Sequence, residues 1–230
     1  IIKNKLLIAK VSKVKIIALA KRYKDFPIHN TPAALADTAT LQMNSLFLPK
    51  LFGLATSGHF VLANRMITLP SGIIAGAISQ VFFQTMSENK NNKKKGMPFL
   101  LKTITKLALI AAPIAVAIII LSPFIFGFVF GENWEISGKI AQYLAFIFFI
   151  TFIVSTVSSV FSISGFIKRG AMWKYIYLIS SLSFFGLMYL FKISFFDFLL
   201  YFVIHEYILY LLYLYLIVKS VKQMDERIKK

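Results

Sequence analysis

Long apolar segments restrict the fold of this chain more than any other feature of its sequence. The segments from Leu107 to Phe130 and from Phe195 to Val218 are long enough to cross a bilayer, which takes about 20 residues of mostly apolar helix. Across the chain 58% of residues are hydrophobic and the mean hydropathy is +0.73, whereas soluble domains are typically about 45–50% apolar. The sequence therefore predicts an all-α membrane protein that crosses the bilayer several times.

Six segments qualify as membrane spans. The predicted spans are 30–52, 55–84, 99–129, 136–164, 170–191 and 195–218. Residues 1–29 precede them as a predicted basic connector helix, and residues 219–230 follow as a predicted basic tail, both on the cytoplasmic side. The first span is interrupted by Asp37, Gln42 and Asn44, and such a polar span is expected to face a cavity or other helices rather than lipid.

The basic residues assign a side to each connector. Twenty-two of the 26 lysines and arginines lie before the first span, around the connector from the second to the third, between the fourth and fifth, or after the sixth. By the positive-inside rule these regions and both termini are cytoplasmic, and the number of spans is even. Membrane topology thus explains the formal net charge of +17 without a nucleic-acid partner. The expected location is the cell (inner) membrane.

Signals for catalysis are absent from the sequence. It contains no cysteine and only three histidines, and it shows neither metal-ligand spacing nor a glycine-rich nucleotide loop. The connectors on the outer side are short, at 52–54, 131–135 and 192–194, and leave no room for a catalytic domain. We therefore expect no enzymatic activity, no cofactor and no bound metal.

Arg65 lies about ten residues inside the second span, where an unpaired charge costs several kcal/mol. Its helical face is small or polar, and consists of Arg65, Thr68, Gly72, Gly76 and Gln80. The Gly-x-x-x-Gly spacing of the two glycines permits close helix packing. Two interpretations of Arg65 stay open: its side chain snorkels to the outer headgroups, or it lines a water-filled cavity and binds phosphate.

Other polar residues inside the spans are candidates for ion coupling. Asp37 and Asn44 are seven residues apart and share a face of the first span. Asp37 and Arg65 have similar predicted depths, which permits an ion pair that either locks the two helices or opens during transport. Asp37 is then also a candidate proton or sodium site. His205 and Glu206 lie near the middle of the sixth span, where ionisable residues are functional candidates.

Short motifs occur near the ends of three spans. They are Tyr23-Lys24-Asp25-Phe26-Pro27 with Asn30-Thr31-Pro32-Ala33-Ala34, Gly58-x-Phe60-x-Leu62-Ala63-x-Arg65 with Leu69-Pro70 and Ser79-Gln80-Val81-Phe82, and Phe130-Gly131-Glu132-x-Trp134 with Gly138 and Ala141. Together they resemble the seventh, eighth and tenth spans of bacterial polysaccharide flippases. These are the O-antigen (Wzx-type) and polysaccharide-export branch of the multidrug/oligosaccharidyl-lipid/polysaccharide exporter superfamily. The resemblance covers about residues 20–165, and the last two spans match only in hydropathy.

The resemblance implies a twelve-helix transporter of two lobes related by a pseudo-two-fold axis along the membrane normal. This chain then corresponds to the C-terminal lobe, preceded by an N-terminal lobe of six spans. The first two helices of each lobe line the central cavity in this family. The corresponding residues here are Asp37, Gln42, Asn44, Arg65 and Gln80, with Lys50 near the outer end as a substrate contact or interfacial anchor.

The function that the resemblance implies is translocation of a polyprenyl-pyrophosphate-linked oligosaccharide from the cytoplasmic to the outer leaflet by alternating access. Expected partners are this lipid-linked oligosaccharide, membrane lipids, the N-terminal lobe and glycan-assembly proteins. Arg65 is expected to neutralise the pyrophosphate, with Gln42, Asn44 and Gln80 bonding the sugar. Two alternatives stay open: a cation-coupled multidrug exporter of the same superfamily, and a membrane-embedded glycan ligase or polymerase, which the short outer connectors disfavour.

Overall fold

The computed structural model describes residues 25–228 together with Leu19, and these residues are helical apart from short turns. The helices are α1 (Asp25–Asn91), α2 (Met97–Phe130), α3 (Glu135–Val157), α4 (Val160–Ser164), α5 (Ile167–Phe191) and α6 (Phe195–Ile228), with a 3₁₀ turn at Glu132–Trp134. Five stretches of the described chain are long and apolar enough to cross a membrane. The prediction of an all-α bundle of membrane-length helices is therefore confirmed.

The first helix, α1, is broken at Gly53, whose φ of 81° and ψ of 166° are not helical. As one straight helix its 67 residues would extend about 100 Å. Instead, Asn44 and Asn64 line one cavity although 20 residues separate them, and Thr40 and Thr68 line it too. The chain therefore reverses at Gly53, and α1 consists of two antiparallel segments, 25–52 and 54–91.

Three element boundaries differ from the prediction. Only Leu19 and 25–29 of the predicted connector are described, and both are helical, while the rest of 1–29 lies outside the described residues. A turn at Ser158, whose Oγ donates to the Ser155 carbonyl at 2.7 Å, divides the predicted span 136–164 into two helices, although Glu132–Ser164 as a whole is one of the five membrane-length stretches. A serine hydroxyl competes in this way with the backbone ladder. The predicted tail is helical and partly buried up to Ile228, where α6 ends.

The packing centre of the bundle is α3, most of whose residues are buried. It contacts α1, α2 and α6, while α5 packs mainly against α1. Its contact with α2 is close at Gly138, where an added Cβ would lie 2.4 Å from Pro123 Cα. Only glycine permits this approach of the two backbones.

A proline in α2 leaves one backbone carbonyl without its helical donor, and a side chain of α3 donates to that carbonyl instead. Pro123 has no N–H, so the carbonyl of Ile119, four residues earlier, loses its helical donor. Gln142 Nε2 on α3 donates to that carbonyl at 2.6 Å, and Ser122 Oγ donates to the Gly138 carbonyl at 2.8 Å. Because lipid offers no replacement donors, such side chains must satisfy the freed backbone groups. The two helices are thereby held in a defined register.

The last turns of α6 hydrogen-bond the N-terminal ends of two other helices, α2 and α5. The Asp225 carboxylate accepts hydrogen bonds from the backbone N–H groups of Gly96 at 2.7 Å and Met97 at 3.0 Å. It thereby caps the N-terminus of α2, where a negative charge is favourable. Arg169 near the start of α5 donates to Ser220 Oγ at 2.8 Å and Gln223 Oε1 at 2.9 Å. The predicted tail is thus a packed part of the bundle.

Candidate functional site

Polar side chains from four helices meet in a cavity of about 230 Å³, here called the polar cavity. Both segments of α1 line it, together with α3, α5 and α6. Its polar lining residues are Thr40, Asn44, Asn64, Thr68, Ser71, Thr151, Tyr177, Glu206 and Tyr210. A cavity with this lining, within a bundle of otherwise apolar helices, is the part of the structure best suited to hold a charged group.

Among the described residues, Glu206 is the only carboxylate that lines the polar cavity, and it is 3% exposed. The Tyr177 hydroxyl donates to its Oε2 at 2.8 Å. His205 Nδ1 lies 3.3 Å from Oε1, within ion-pair distance but not aligned for a hydrogen bond. A buried ionised carboxylate is costly unless it is fully paired. Tyr177 and His205 are the polar neighbours that the described residues place against this carboxylate.

His205 supports Glu206 from outside the cavity. Its Nε2 lies 2.9 Å from Ser180 Oγ on α5. Its ring stacks on Phe184 with centroids 4.7 Å apart. His205 is absent from the lining of the polar cavity, whereas its neighbour Glu206 is present. Glu206 thus lines the polar cavity, whereas His205, the other predicted coupling candidate, lies outside it.

Asn44 contributes an oxygen to the same cavity. Its Oδ1 is buried and has no hydrogen-bond partner among the described residues. Buried acceptors of this kind are rare, because each costs free energy. Together with Glu206 it offers two oxygen ligands, the kind that hard cations prefer. No cluster of three His, Asp or Glu side chains suited to a metal occurs in the part of the chain that the structure describes.

Asp37 pairs with Lys174 on α5, with Nζ and Oδ2 2.9 Å apart. Asp37 therefore does not form the predicted ion pair with Arg65 in this structure, and a pair that forms during transport stays a prediction. The facing residues of the two α1 segments explain why, since Asn44 is level with Asn64 and Thr40 with Thr68. In this register Asp37 is level with a position near 71, about 9 Å along the axis from Arg65. The depth estimate failed because it took the two span boundaries from hydropathy alone.

Arg65 lies on a free helical face. Arg65, Thr68, Gly72, Gly76 and Gln80, which were predicted to share a face, are all exposed. Among the described residues no carboxylate lies within 4.0 Å of the Arg65 guanidinium. A Cβ added to Gly72 or Gly76 would contact nothing within 4 Å. These glycines do not pack against another described helix. Their predicted role in close helix packing therefore stays a prediction, for a partner outside the described residues.

The remaining predicted substrate contacts do not converge on Arg65 within the described residues. Gln42 and Lys50 are exposed, like Arg65 and Gln80. Lys50 lines a separate cavity of about 300 Å³ with Lys192. The structure thus divides the predicted set into an exposed group and the residue Asn44, which lies in the polar cavity.

Sequence reasoning missed the α5 side of the polar cavity. Tyr177 and Lys174, the partners of Glu206 and Asp37, were not singled out. A signal was available, because Glu206, Tyr210 and Tyr213 follow i, i+4 and i+7 spacing on α6. Tyrosine at such spacing beside a buried acid indicates a polar face inside the bundle. Mean hydropathy does not reveal this face, because tyrosine is neither strongly apolar nor strongly polar on the hydropathy scale.

Comparison with known protein families gives one match. A family model described as polysaccharide biosynthesis protein matches residues 10–139, which is 130 of the 230 residues. Neither the curated proteins nor the solved structures contain a match to this chain. The matched region includes α1, α2 and the start of α3, and therefore both segments that carry Asn44 and Arg65. Since the match covers more than half of the sequence, the chain belongs to the polysaccharide biosynthesis protein family.

Proposed function

We propose that this chain is one six-span lobe of a flippase that moves a polyprenyl-pyrophosphate-linked oligosaccharide from the cytoplasmic to the outer leaflet. The two segments of α1 count as the first two spans, because the chain reverses at Gly53. A preceding lobe would complete a transporter that works by alternating access. Membership of a polysaccharide biosynthesis family and the membrane-length helices support a role in handling a glycan precursor at the membrane.

The observation that carries this proposal is the exposed face of Arg65. Arg65 is 12 residues from the reversal at Gly53, or about 18 Å along the helix. At that depth in a hydrocarbon core of about 30 Å a guanidinium facing lipid is costly. The face instead suits a water-filled cavity between two lobes, which a charged lipid headgroup enters during translocation.

Arginine suits the proposed substrate chemically. A guanidinium donates two parallel hydrogen bonds to phosphate and keeps its charge at every physiological pH. Gln42 and Gln80 are exposed amides that can hydrogen-bond sugar hydroxyls. Lys50, at the outer end beside Lys192, is assigned to the headgroup on release. Asn44 leaves the proposed sugar-binding set, because it lies in the polar cavity.

Ion coupling is assigned to the polar cavity. Glu206 and Asn44 supply oxygen ligands for a proton or a monovalent cation, and Tyr177 orients the carboxylate. His205 acts as a support for Glu206. Asp37 and Lys174 form a partly exposed ion pair that opens and closes with the cytoplasmic end of the lobe. Glu206→Gln should abolish the dependence of transport on the ion gradient while leaving membrane expression unchanged.

The test of the substrate role is surface-glycan export in cells that depend on this protein. Arg65→Ala should abolish export, and Arg65→Lys should also impair it, because lysine cannot bind phosphate bidentately. Lys139→Ala is the matched control, since Lys139 is also exposed and lies outside the proposed site. Wild-type export by the alanine variant, at equal membrane levels, would show that Arg65 only snorkels to the headgroups.

A second candidate function is export of cationic drugs. One observation favours it, namely the buried carboxylate of Glu206 in a cavity with aromatic lining. Under this alternative Glu206→Gln should lower drug resistance in expressing cells, while surface glycan stays unchanged. Loss of glycan export without any change in drug resistance supports the flippase.

A further inference from the structure

An apolar groove of about 380 Å³ runs between the second segment of α1 and α2, with α3 behind it. Met66 and Ile74 form one wall, and Ile114, Leu121 and Ile125 form the other. All five are at least 37% exposed, so the groove is open along its length. It lies in the membrane-length part of both helices, so its open side is at the depth of the hydrocarbon core.

The packing of the helices creates this groove. Near the cytoplasmic ends α1 and α2 meet through Phe82 and Phe99, whose rings stack with centroids 5.6 Å apart. Further out, α2 is held against α3 by the Ser122–Gly138 hydrogen bond and the close contact at Gly138. Direct packing between α1 and α2 is sparse there. The two helices separate, and the gap becomes the groove.

The side chains of the groove offer a ligand no free hydrogen-bond donor. Its two polar lining side chains are Ser71 and Ser122. Ser71 Oγ donates to the Ile67 carbonyl at 2.6 Å, and Ser122 Oγ donates to the Gly138 carbonyl at 2.8 Å. A polar ligand would lose its hydrogen bonds on entry, whereas a hydrocarbon chain gains dispersion contacts with both walls. The chemistry of the groove selects a hydrocarbon chain.

Its dimensions suit one linear chain. The α2 wall from Ile114 to Ile125 covers twelve residues, or about 17 Å of helix. That length is roughly half of a hydrocarbon core of about 30 Å. The groove therefore accommodates part of a long chain that lies along the membrane normal.

The groove shares a wall with the polar cavity. Ile67, Ser71 and Phe148 line both. A chain in the groove contacts these side chains from one face, while Glu206 lies in the cavity on the other. The groove and the polar cavity are therefore neighbouring spaces separated by these side chains.

The depth of Arg65 in the membrane indicates which kind of lipid provides the hydrocarbon chain that enters the groove. Met66 lines the groove and directly follows Arg65, with the two side chains about 100° apart around the helix. A resident phospholipid keeps its phosphate at the interface, whereas a lipid in transit brings its phosphate to the depth of Arg65. Resting on the proposed function, we propose that the groove binds the polyprenyl chain of the lipid-linked substrate.

Photo-crosslinking tests this proposal directly. The full chain in lipid nanodiscs is labelled with a polyprenyl phosphate that carries a diazirine in its chain, and labelled peptides are identified by mass spectrometry. We expect labelling on the groove walls that excess unlabelled polyprenyl phosphate removes and excess phosphatidylglycerol does not. Ala117→Phe should lower labelling about tenfold, because the ring displaces about ten atom–atom contacts. Ala112→Phe is the matched control, since Ala112 is exposed but not part of the groove.

Each outcome of the crosslinking experiment either supports or overturns binding of the polyprenyl chain in the groove. Equal competition by phosphatidylglycerol would overturn the proposal and identify the groove as a site for bilayer acyl chains. Labelling unchanged by both Ala117→Phe and Ile125→Trp would also overturn it, and the second variant guards against misfolding of the first. The Arg65 export assay fails or succeeds separately. Groove labelling with normal export by Arg65→Ala would retain the groove and reject the proposed phosphate contact.

Discussion

Removing the Asp225 carboxylate should destabilise the contact between α6 and the N-terminus of α2. This side chain is 9% exposed, and its two oxygens accept hydrogen bonds from the N–H groups of Gly96 and Met97 at 2.7 and 3.0 Å. The residue at the N-cap of α2 is Gly96, which has no side chain to cap the helix. Asp225 thus supplies from α6 the cap that the local sequence of α2 lacks.

The size of the effect follows from these two bonds. A hydrogen bond to a charged group contributes about 1.5–3 kcal/mol, and a buried donor left unpaired costs a similar amount. Because water reaches the partly buried Met97 N–H after the truncation, we expect a loss of about 3 kcal/mol for Asp225→Ala rather than the full sum. Asp225→Asn keeps one acceptor oxygen and should lose roughly half as much.

Thermal unfolding in one fixed detergent measures the difference. For a chain of this size a loss of about 3 kcal/mol lowers Tm by roughly 6–12 °C. Glu226→Ala is the matched control, because Glu226 is the neighbouring carboxylate and is exposed. It should change Tm little, as surface substitutions usually do. If Asp225→Ala unfolds at the same temperature as Glu226→Ala, the capping argument is refuted.

The remaining predictions concern backbone positions and use the same unfolding measurement. Gly53→Ala should destabilise the folded protein by about 1–3 kcal/mol, because φ is 81° there. The control Gly58→Ala should be neutral or stabilising, because Gly58 lies in a helix with free space around it. Gly138→Ala should destabilise by about 1–3 kcal/mol or more, since its Cβ would lie 2.4 Å from Pro123 Cα. Gln142→Leu should cost about 1–3 kcal/mol by leaving a carbonyl of α2 unpaired, and equal stability of Gln142→Leu and wild type would contradict that role.

Most of the helical architecture could be predicted from the sequence, because hydropathy reports directly on burial in lipid. The reversal near Gly53 was predicted from a short connector between two apolar segments, and its positive φ gives the physical reason for a glycine. The break at Ser158 was not predicted. Apolar residues continue on both sides of it, so hydropathy has no signal there and only local hydroxyl–backbone hydrogen bonds end the helix.

The candidate site was predicted less completely than the fold. The exposed polar face of Arg65 follows from helical periodicity, which is a local property. The partners of Asp37 and Glu206, Lys174 and Tyr177, come from another helix. Periodicity within one helix cannot say which neighbouring helix a side chain meets, or at what height. That information depends on the register between helices.

The sequence by itself determined the class of protein, the approximate spans and the residues that are energetically unusual inside them. Segment length and charge distribution suffice for this, because the bilayer acts on each helix separately. Only the tertiary structure decided that Asp37 meets Lys174 and not Arg65, that Asn44 and Glu206 share a cavity, and that an apolar groove adjoins it. These contacts depend on where helices touch and where they separate, as at Gly138 and Phe82. Such positions are set by interhelical packing of small and bulky residues, which has no signature in one helix alone.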